Sequence, residues 1–380
     1  MARNRWTFMV ALMMVLALVA AACSSDDDAS SDDASSDTTA ASSDEATTTA
    51  ADGAAEEFKV AYVYVGPKAD KGWSWAHDQG ALYLAENMPG VTLTTLENIL
   101  EGPDVQRIFE QLAADGNTLI FGTSFGYKDG MLAAAETYPD VVFMHATGDA
   151  LSDNMGTYFG AAEEGRYLSG MAAGERTESN LVGYVAAFPI PEVLRGINAF
   201  TLGVREVNPD AEVQVVWTST WFDMTKEGDA AQALLDSGAD VIAMHQDTPA
   251  PGQAAEAAGA GWVGYNADMS AFAPNGWLTA STWDWGPYYL SVAEDVKAGT
   301  WKPEAYYGDM ATGMVDIAPF GPSVSEEMQA LIETRKQEII DGTFAVFPDP
   351  IVNQAGNEQP LGDIFGMDFF VEGVIGSPTG

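Results

Sequence analysis

The sequence predicts an α/β protein of two doubly wound parallel-sheet lobes joined by a hinge. Three observations carry that expectation. Apolar runs with strand character alternate with segments of helical periodicity from residue 59 to 146, and such alternation gives parallel strands with helices on both faces. The same rhythm restarts near residue 180. About 320 of the 380 residues follow a low-complexity N-terminal stretch, which suits two domains of ordinary size better than one small core.

In the first half, residues 59–65 (Lys-Val-Ala-Tyr-Val-Tyr-Val) read as a buried strand that ends at the turn signal Gly66-Pro67. A helix over 75–87 stops at Met88-Pro89-Gly90, and 91–96 is the next strand. The helix over 104–115 places Val105, Ile108, Phe109 and Leu112 on one face. A strand over 118–122 runs into Gly122-Thr123-Ser124-Phe125-Gly126; a helix over 131–138 and a strand over 141–146 follow. In the second half, strands are expected at 180–187, 212–217, 241–245 and 262–266, with helices at 191–208, 227–237 and 253–259. Between the halves, Glu163 to Gly174 carries small residues at helical spacing and reads as a tightly packed, core-facing helix of the first half. The lobes are thus placed at 58–177 and 178–284. The chain then returns to the first near 285–320 and to the second near 320–350, through helices at 288–297 and 324–341 and strands at 309–319 and 344–347. Residues 351–380 form a C-terminal segment.

The N-terminus reads as an export signal over residues 1–22. Arg3 and Arg5 precede an apolar run from Phe8 to Val19, and Ala20, Ala21 and Ala22 are the small residues of a cleavage site. Cys23 is the sole cysteine, so no disulfide claims it. Leu18 to Cys23 resembles a bacterial lipobox, with Ala20 where Leu is commoner, and lipidation of Cys23 would anchor the protein to the membrane through acyl chains. Residues 24–57 are Ser, Asp, Ala, Thr and Glu with one glycine and no aromatic residue, the composition of a disordered tether.

Net charge is −40; the tether holds 11 of the 56 acids, and with 14 of the 16 bases the body carries about −31. Such a charge disfavours nucleic acid and anionic lipid as partners. Three histidines, His77, His145 and His245, show no metal-ligand spacing, and no nucleophile or phosphate-loop motif occurs, so the sequence points to neither an enzyme nor a cofactor or metal site.

Aromatic residues gather instead at strand ends: Trp73 and Trp75, Phe125, Phe188, Trp217 and Trp221, and Trp283 with Trp285. Such rings stack on planar or apolar ligands. Asp247 and Asp268, also at strand ends, are hydrogen-bond partners for a ligand or caps for the following helices. In paired sheets of this kind the ligand lies outside the carboxyl ends of the strands, between lobes that close about a hinge.

Asp70-Lys71-Gly72-Trp73 with Gly80, the small-residue helix 163–174, Pro191-Glu192-Val193-Leu194-Arg195-Gly196, and Trp262-Val263-Gly264-Tyr265-Asn266-Ala267-Asp268-Met269 resemble, in this order, segments of the basic membrane protein family. This is the purine-nucleoside-receptor type of ABC-transporter substrate-binding lipoprotein, and the resemblance covers about residues 58–350. It implies a type I periplasmic-binding-protein fold, an extracytoplasmic location, a membrane permease as partner and capture of a purine. It places Trp73 or Trp75 near one aromatic stacker, Trp221 near a second, and Asp268 at a ribose-binding aspartate. Ser281-Thr282-Trp283-Asp284 departs from the nucleoside-binding members, which have a lysine in this stretch; tryptophan there is similar to a branch that takes a free base such as adenine. The expected site is therefore Trp73, Trp75, Ser124, Phe125, Phe188, Trp221, Asp247, Asn266, Asp268 and Trp283, in a monomer. A sugar ligand, a receptor that serves a membrane sensor, and a nucleoside hydrolase are the rival readings, the last disfavoured by the missing catalytic set.

Overall fold

The structure is a computed structural model that describes residues 57–380. The expected export signal, Cys23 and nearly all of the tether lie outside the described residues. No helix among the described residues is long and apolar enough to cross a membrane.

The first lobe runs β1 (Phe58–Val63), α1 (Trp73–Asn87), β2 (Val91–Leu96), α2 (Val105–Ala114), β3 (Leu119–Gly122), α3 (Lys128–Thr137), β4 (Val142–Ala146) and β5 (Met155–Gly160). All pair in parallel in the order β2-β1-β3-β4-β5. β3 is buried along its whole length, because helices cover both faces of the sheet. α2 turns Val105, Phe109, Leu112 and Ala113 inward, one apolar stripe at helical spacing. β5 was not expected from the sequence: Gly156 and Gly160 interrupt its strand pattern. Gly160 is there because a Cβ would stand 2.6 Å from the Trp283 ring.

The second lobe repeats the plan with α4 (Ala162–Arg176), β6 (Leu181–Ala186), α5 (Pro191–Val207), β7 (Glu212–Trp217), α6 (Met224–Asp236), β8 (Val241–His245), α7 (Ala250–Ala258), β9 (Gly261–Asn266) and β10 (Trp277–Trp283). Its order, β7-β6-β8-β9-β10, matches the first. One expectation fails here. α4 is not a core helix of the first half; it packs on α5, β9 and β10. Its small residues are the reason. A Cβ at Gly170 or Gly174 would overlap the backbone of Phe200 or Val204 in α5, and one at Gly203 would overlap Tyr167. The first lobe therefore ends with β5 rather than near residue 177.

The chain then crosses back. α8 (Gly286–Ala298) packs on α1, and β11 (Ala305–Gly308) extends the first sheet beside β5. β12 (Val315–Ile317) pairs antiparallel with β10, and α9 (Glu326–Ile340) rests on α4. Three segments thus join the lobes. Beside them Tyr307 of β11 donates to Glu163 of α4 (2.7 and 2.9 Å), and Arg195 of α5 bonds the same buried carboxylate at 3.2 Å.

No strand forms at 344–347; Phe344 packs on Tyr167 at 5.2 Å under the Arg335 guanidinium at 3.8 Å, so its apolar run is spent on tertiary packing. The C-terminal segment forms a small pair, β13 (Ile351–Val352) with β14 (Glu358–Gln359), and then β15 (Val374–Ile375), which adds to the second sheet beside β7. Asn198 of α5 fastens it, donating to the Phe369 carbonyl (2.8 Å) and accepting from the Val371 N–H (3.0 Å).

Candidate ligand-binding cleft

In each sheet the strand order reverses beside the first strand, at β1/β3 and at β6/β8, and a ligand crevice forms outside the carboxyl ends at such a point. The two crevices share one cavity. It has about 360 Å³ of free space, part of it open to solvent. Val65, Trp73, Ser124, Phe125 and Thr147 line it from the first lobe; Glu192, Trp221, His245, Asp247 and Tyr265 line it from the second.

Trp73 stands at the start of α1. Its indole N–H donates to the Thr123 carbonyl at 2.6 Å, and its ring meets Trp283 edge-on at 6.0 Å. Asp70 caps this helix by accepting from the N–H groups of Gly72 (2.7 Å), Ser74 (3.0 Å) and Trp75 (3.0 Å). Ser124 donates to Glu101 at 2.6 Å, and Phe125 beside it is 42% exposed, a free apolar face at the mouth. Thr147 has φ +60, and its buried hydroxyl makes no hydrogen bond within the protein.

On the other wall, Asp247 accepts from Asn266 Nδ2 at 3.2 Å, and Asn266 Oδ1 accepts from the Trp283 indole at 2.9 Å. A Cβ on Gly72 would overlap the Asp247 carbonyl oxygen, so glycine is required where the lobes touch. His245 lies 3.5 Å from Glu192 and packs on Tyr265 at 4.5 Å. Arg166 lies beneath, its guanidinium 3.5 Å over the Tyr265 ring, donating to the Met244 carbonyl at 2.7 Å. Trp221 is braced edge-on by Phe188 at 5.0 Å.

Burial dominates the electrostatics. It pushes the Asp70 carboxyl up to about 6 despite three N–H donors, and Glu227 up to about 7. Burial, with Asp70 and Glu227 nearby, holds Asp247 well above the usual carboxylate range. Burial drives His245 down to about 4, so the imidazole is neutral at pH 7. Among the described residues no group of acids, histidines or cysteines is placed to hold a metal ion.

Of the residues expected from the sequence, Trp73, Ser124, Phe125, Trp221 and Asp247 line the cavity. Asn266 and Trp283 stand one shell back, in a hydrogen-bonded row that ends on Asp247. Phe188 backs Trp221 and faces an outer hollow shared with Asn98, Glu101 and Phe222. Trp75 does not line the cavity; it is half-buried under the Lys71 ammonium at 5.2 Å. Asp268 is exposed on a separate hollow and accepts from the Ser270 N–H at 2.9 Å, so the turn cap, not a ribose contact, accounts for it here. Trp217 likewise leaves the cleft, donating to the Ser377 carbonyl at 3.0 Å. Sequence reasoning missed Val65, Thr147, Glu192, His245 and Tyr265. Thr147, His245 and Tyr265 lie at the carboxyl ends of β4, β8 and β9, the signal that would have found them.

Two facing α/β lobes with a cavity lined from both have the architecture of a solute-binding protein of the periplasmic-binding type. Solved structures agree on the fold: a solute-binding protein of an Aeropyrum pernix K1 ABC transporter system superposes with a TM-score of 0.66 at 19% identity, covering 77% of this chain and 94% of that one. One from Conexibacter woesei DSM 14684 gives 0.63 at 24%, covering 76% and 98%. The chain belongs to the Bmp family, the PnrA-like ABC transporter substrate-binding proteins, whose model matches residues 58–345. It is 42% identical to a purine-binding protein of Brucella abortus (strain 2308), over 84% of this chain and 94% of that protein. It is also 42% identical to a putative ABC transporter glucose-binding protein of Haloferax volcanii, over 84% and 81%. The chain is thus a substrate-binding protein of an ABC transporter, with a small-molecule ligand and a membrane permease as partners, in a family that works outside the cytoplasm and performs no catalysis.

Proposed function

We propose that this protein captures a purine nucleobase or nucleoside, adenine-like, between its two lobes and hands it to an importing permease. The observation that carries this reading is the lining itself: Trp73 and Phe125 from one lobe face Trp221 and Tyr265 from the other, around Asp247, Glu192 and His245. Aromatic faces on both walls suit a flat heterocycle, and a few polar groups fix its orientation. The purine-binding relative supports the same ligand class. The glucose-binding relative favours a second reading, since aromatic platforms also stack on sugar rings. Mass spectrometry of the small molecule that co-purifies, followed by displacement, separates them. Adenine or adenosine displaces it and glucose does not; displacement by glucose alone contradicts the purine reading.

The anchor belongs to the same proposal: Cys23 carries the lipid that holds the body at the outer face of the membrane. A Cys23→Ala variant is expected in the medium and unlabelled by radioactive fatty acid. Retention on the membrane with label would overturn this assignment.

A further inference from the structure

Three carboxylates meet where the lobes touch. Asp70, ahead of α1, is 4% exposed; Asp247, after β8, is 5%; Glu227, in α6, is fully buried. Glu227 accepts from both the N–H (3.0 Å) and the hydroxyl (2.6 Å) of Thr248, the residue next to Asp247. Asp70 takes the N–H groups of Gly72, Ser74 and Trp75 at the N-terminus of α1, and the backbone of Asp247, from the other lobe, lies against Gly72 there. None of the three forms an ion pair among the described residues. The nearby bases are engaged elsewhere: Lys71 over Trp75, Arg166 on Tyr265 and the Met244 carbonyl. Glu192 and His245 also border the cavity and bring no positive charge at neutral pH. One helix N-terminus offsets about half an elementary charge, so three buried anions cannot persist together there.

We propose that the ligand is captured together with one proton, which Asp247 takes from the solvent as the lobes close, so that it faces the ligand as a carboxylic acid whose O–H donates to an unprotonated ring nitrogen or carbonyl oxygen. This rests on the reading of the cavity as a heterocycle site. Asp247 is the group that changes surroundings on closure, because it borders the cavity between the lobes and its backbone lies against Gly72 of the opposite lobe. Asp70 and Glu227 are held mainly by their own lobes. The row Trp283–Asn266–Asp247 orients the acid: Asn266 donates to one oxygen and leaves the other for the ligand. The sign follows from linkage. A carboxyl whose closed-state pKa is raised above its open-state value binds a proton on closure, so affinity is fully present at acid pH and falls as pH rises toward the closed-state value, by about tenfold per pH unit in between.

Calorimetric titration with adenine tests this, run from pH 5 to 8 in buffers of different ionisation enthalpy. The wild type is expected to take up about one proton per adenine bound and to bind more weakly as pH rises. In Asp247→Asn the amide already supplies an N–H donor, so whatever affinity remains is independent of pH and takes up no proton. In Glu227→Gln the uptake persists. Uptake that is absent from the wild type, or that survives in Asp247→Asn, overturns the proposal. If adenine does not bind, the cavity reading has failed and the cluster is tested by thermal melts. The wild-type Tm then falls from pH 5 to pH 8, and less steeply in Asp247→Asn; parallel falls overturn the proposal.

Discussion

The two walls of the cleft are built differently. The first lobe presents Val65, Trp73 and Phe125 with two hydroxyls, Ser124 and Thr147, and no titratable side chain; the second presents Trp221 with Glu192, His245, Asp247 and Tyr265. Trp73 belongs to a packed aromatic cluster with His77, Phe159, Trp283 and Trp285. Trp221 is half-buried and touches chiefly Phe188 and His245. Trp73 on the first wall is thus packed among aromatic rings of its own lobe and against Trp283 of the other, while Phe125 beside it stays exposed. The second carries the groups that can discriminate one ligand from another. On the proposed reading, burial supplies affinity on one side and polar chemistry supplies selectivity on the other.

That contrast can be broken by substitution. Trp73→Ala removes a 9% exposed ring from the core as well as from the cleft. It is expected to cost about 3–5 kcal/mol of stability, read by urea denaturation, along with ligand binding. Trp221→Ala takes away a ring that the lobe does not need. Binding measured by calorimetry should weaken by about 1–3 kcal/mol, the usual worth of one aromatic–base stack, with the denaturation midpoint nearly unchanged. A large loss of stability in Trp221→Ala would erase the distinction between the walls. Gly72→Ala acts on neither wall but on their meeting. The added methyl collides with the Asp247 carbonyl, and overpacking of this kind costs about 1–3 kcal/mol. The cost is expected in affinity more than in denaturation of the unliganded chain, since each lobe folds around its own sheet. The smallest effect is that of salt. The body's charge of about −31 is spread over its surface, so raising salt should lift Tm by a few degrees while purine affinity changes little. A strong salt dependence of binding would place charge on the ligand.

Much of this was legible beforehand for identifiable reasons. Buried parallel strands such as Leu119–Gly122 and Val241–His245 are continuous apolar runs that no other element explains. Two features hid from the sequence. β5 is strand by tertiary pairing, not by composition, with glycine at two of its six positions. α4 follows the first half along the chain, yet Gly170 and Gly174 fit against the α5 backbone and Gly165 against Ser281 of β10, which residue spacing does not reveal. The site was half legible. Aromatics after strands marked Trp73, Phe125 and Trp221. The polar wall was missed where its residues look like core: His245 and Tyr265 sit within buried strands and reach the cavity only because those strands end there. Asp268 lies past the end of β9, which stops at Asn266 with φ +71; Asn266 points at Asp247, while Asp268, two residues on, caps the following turn.

The most direct test is a crystal structure of the full body grown with adenine. The ring is expected between the Trp73–Phe125 wall and the Trp221–Tyr265 wall, hydrogen-bonded to Asp247. Density for adenine in any other hollow, such as the one lined by Asp268 and Phe320, with the cleft filled by another molecule, would contradict it.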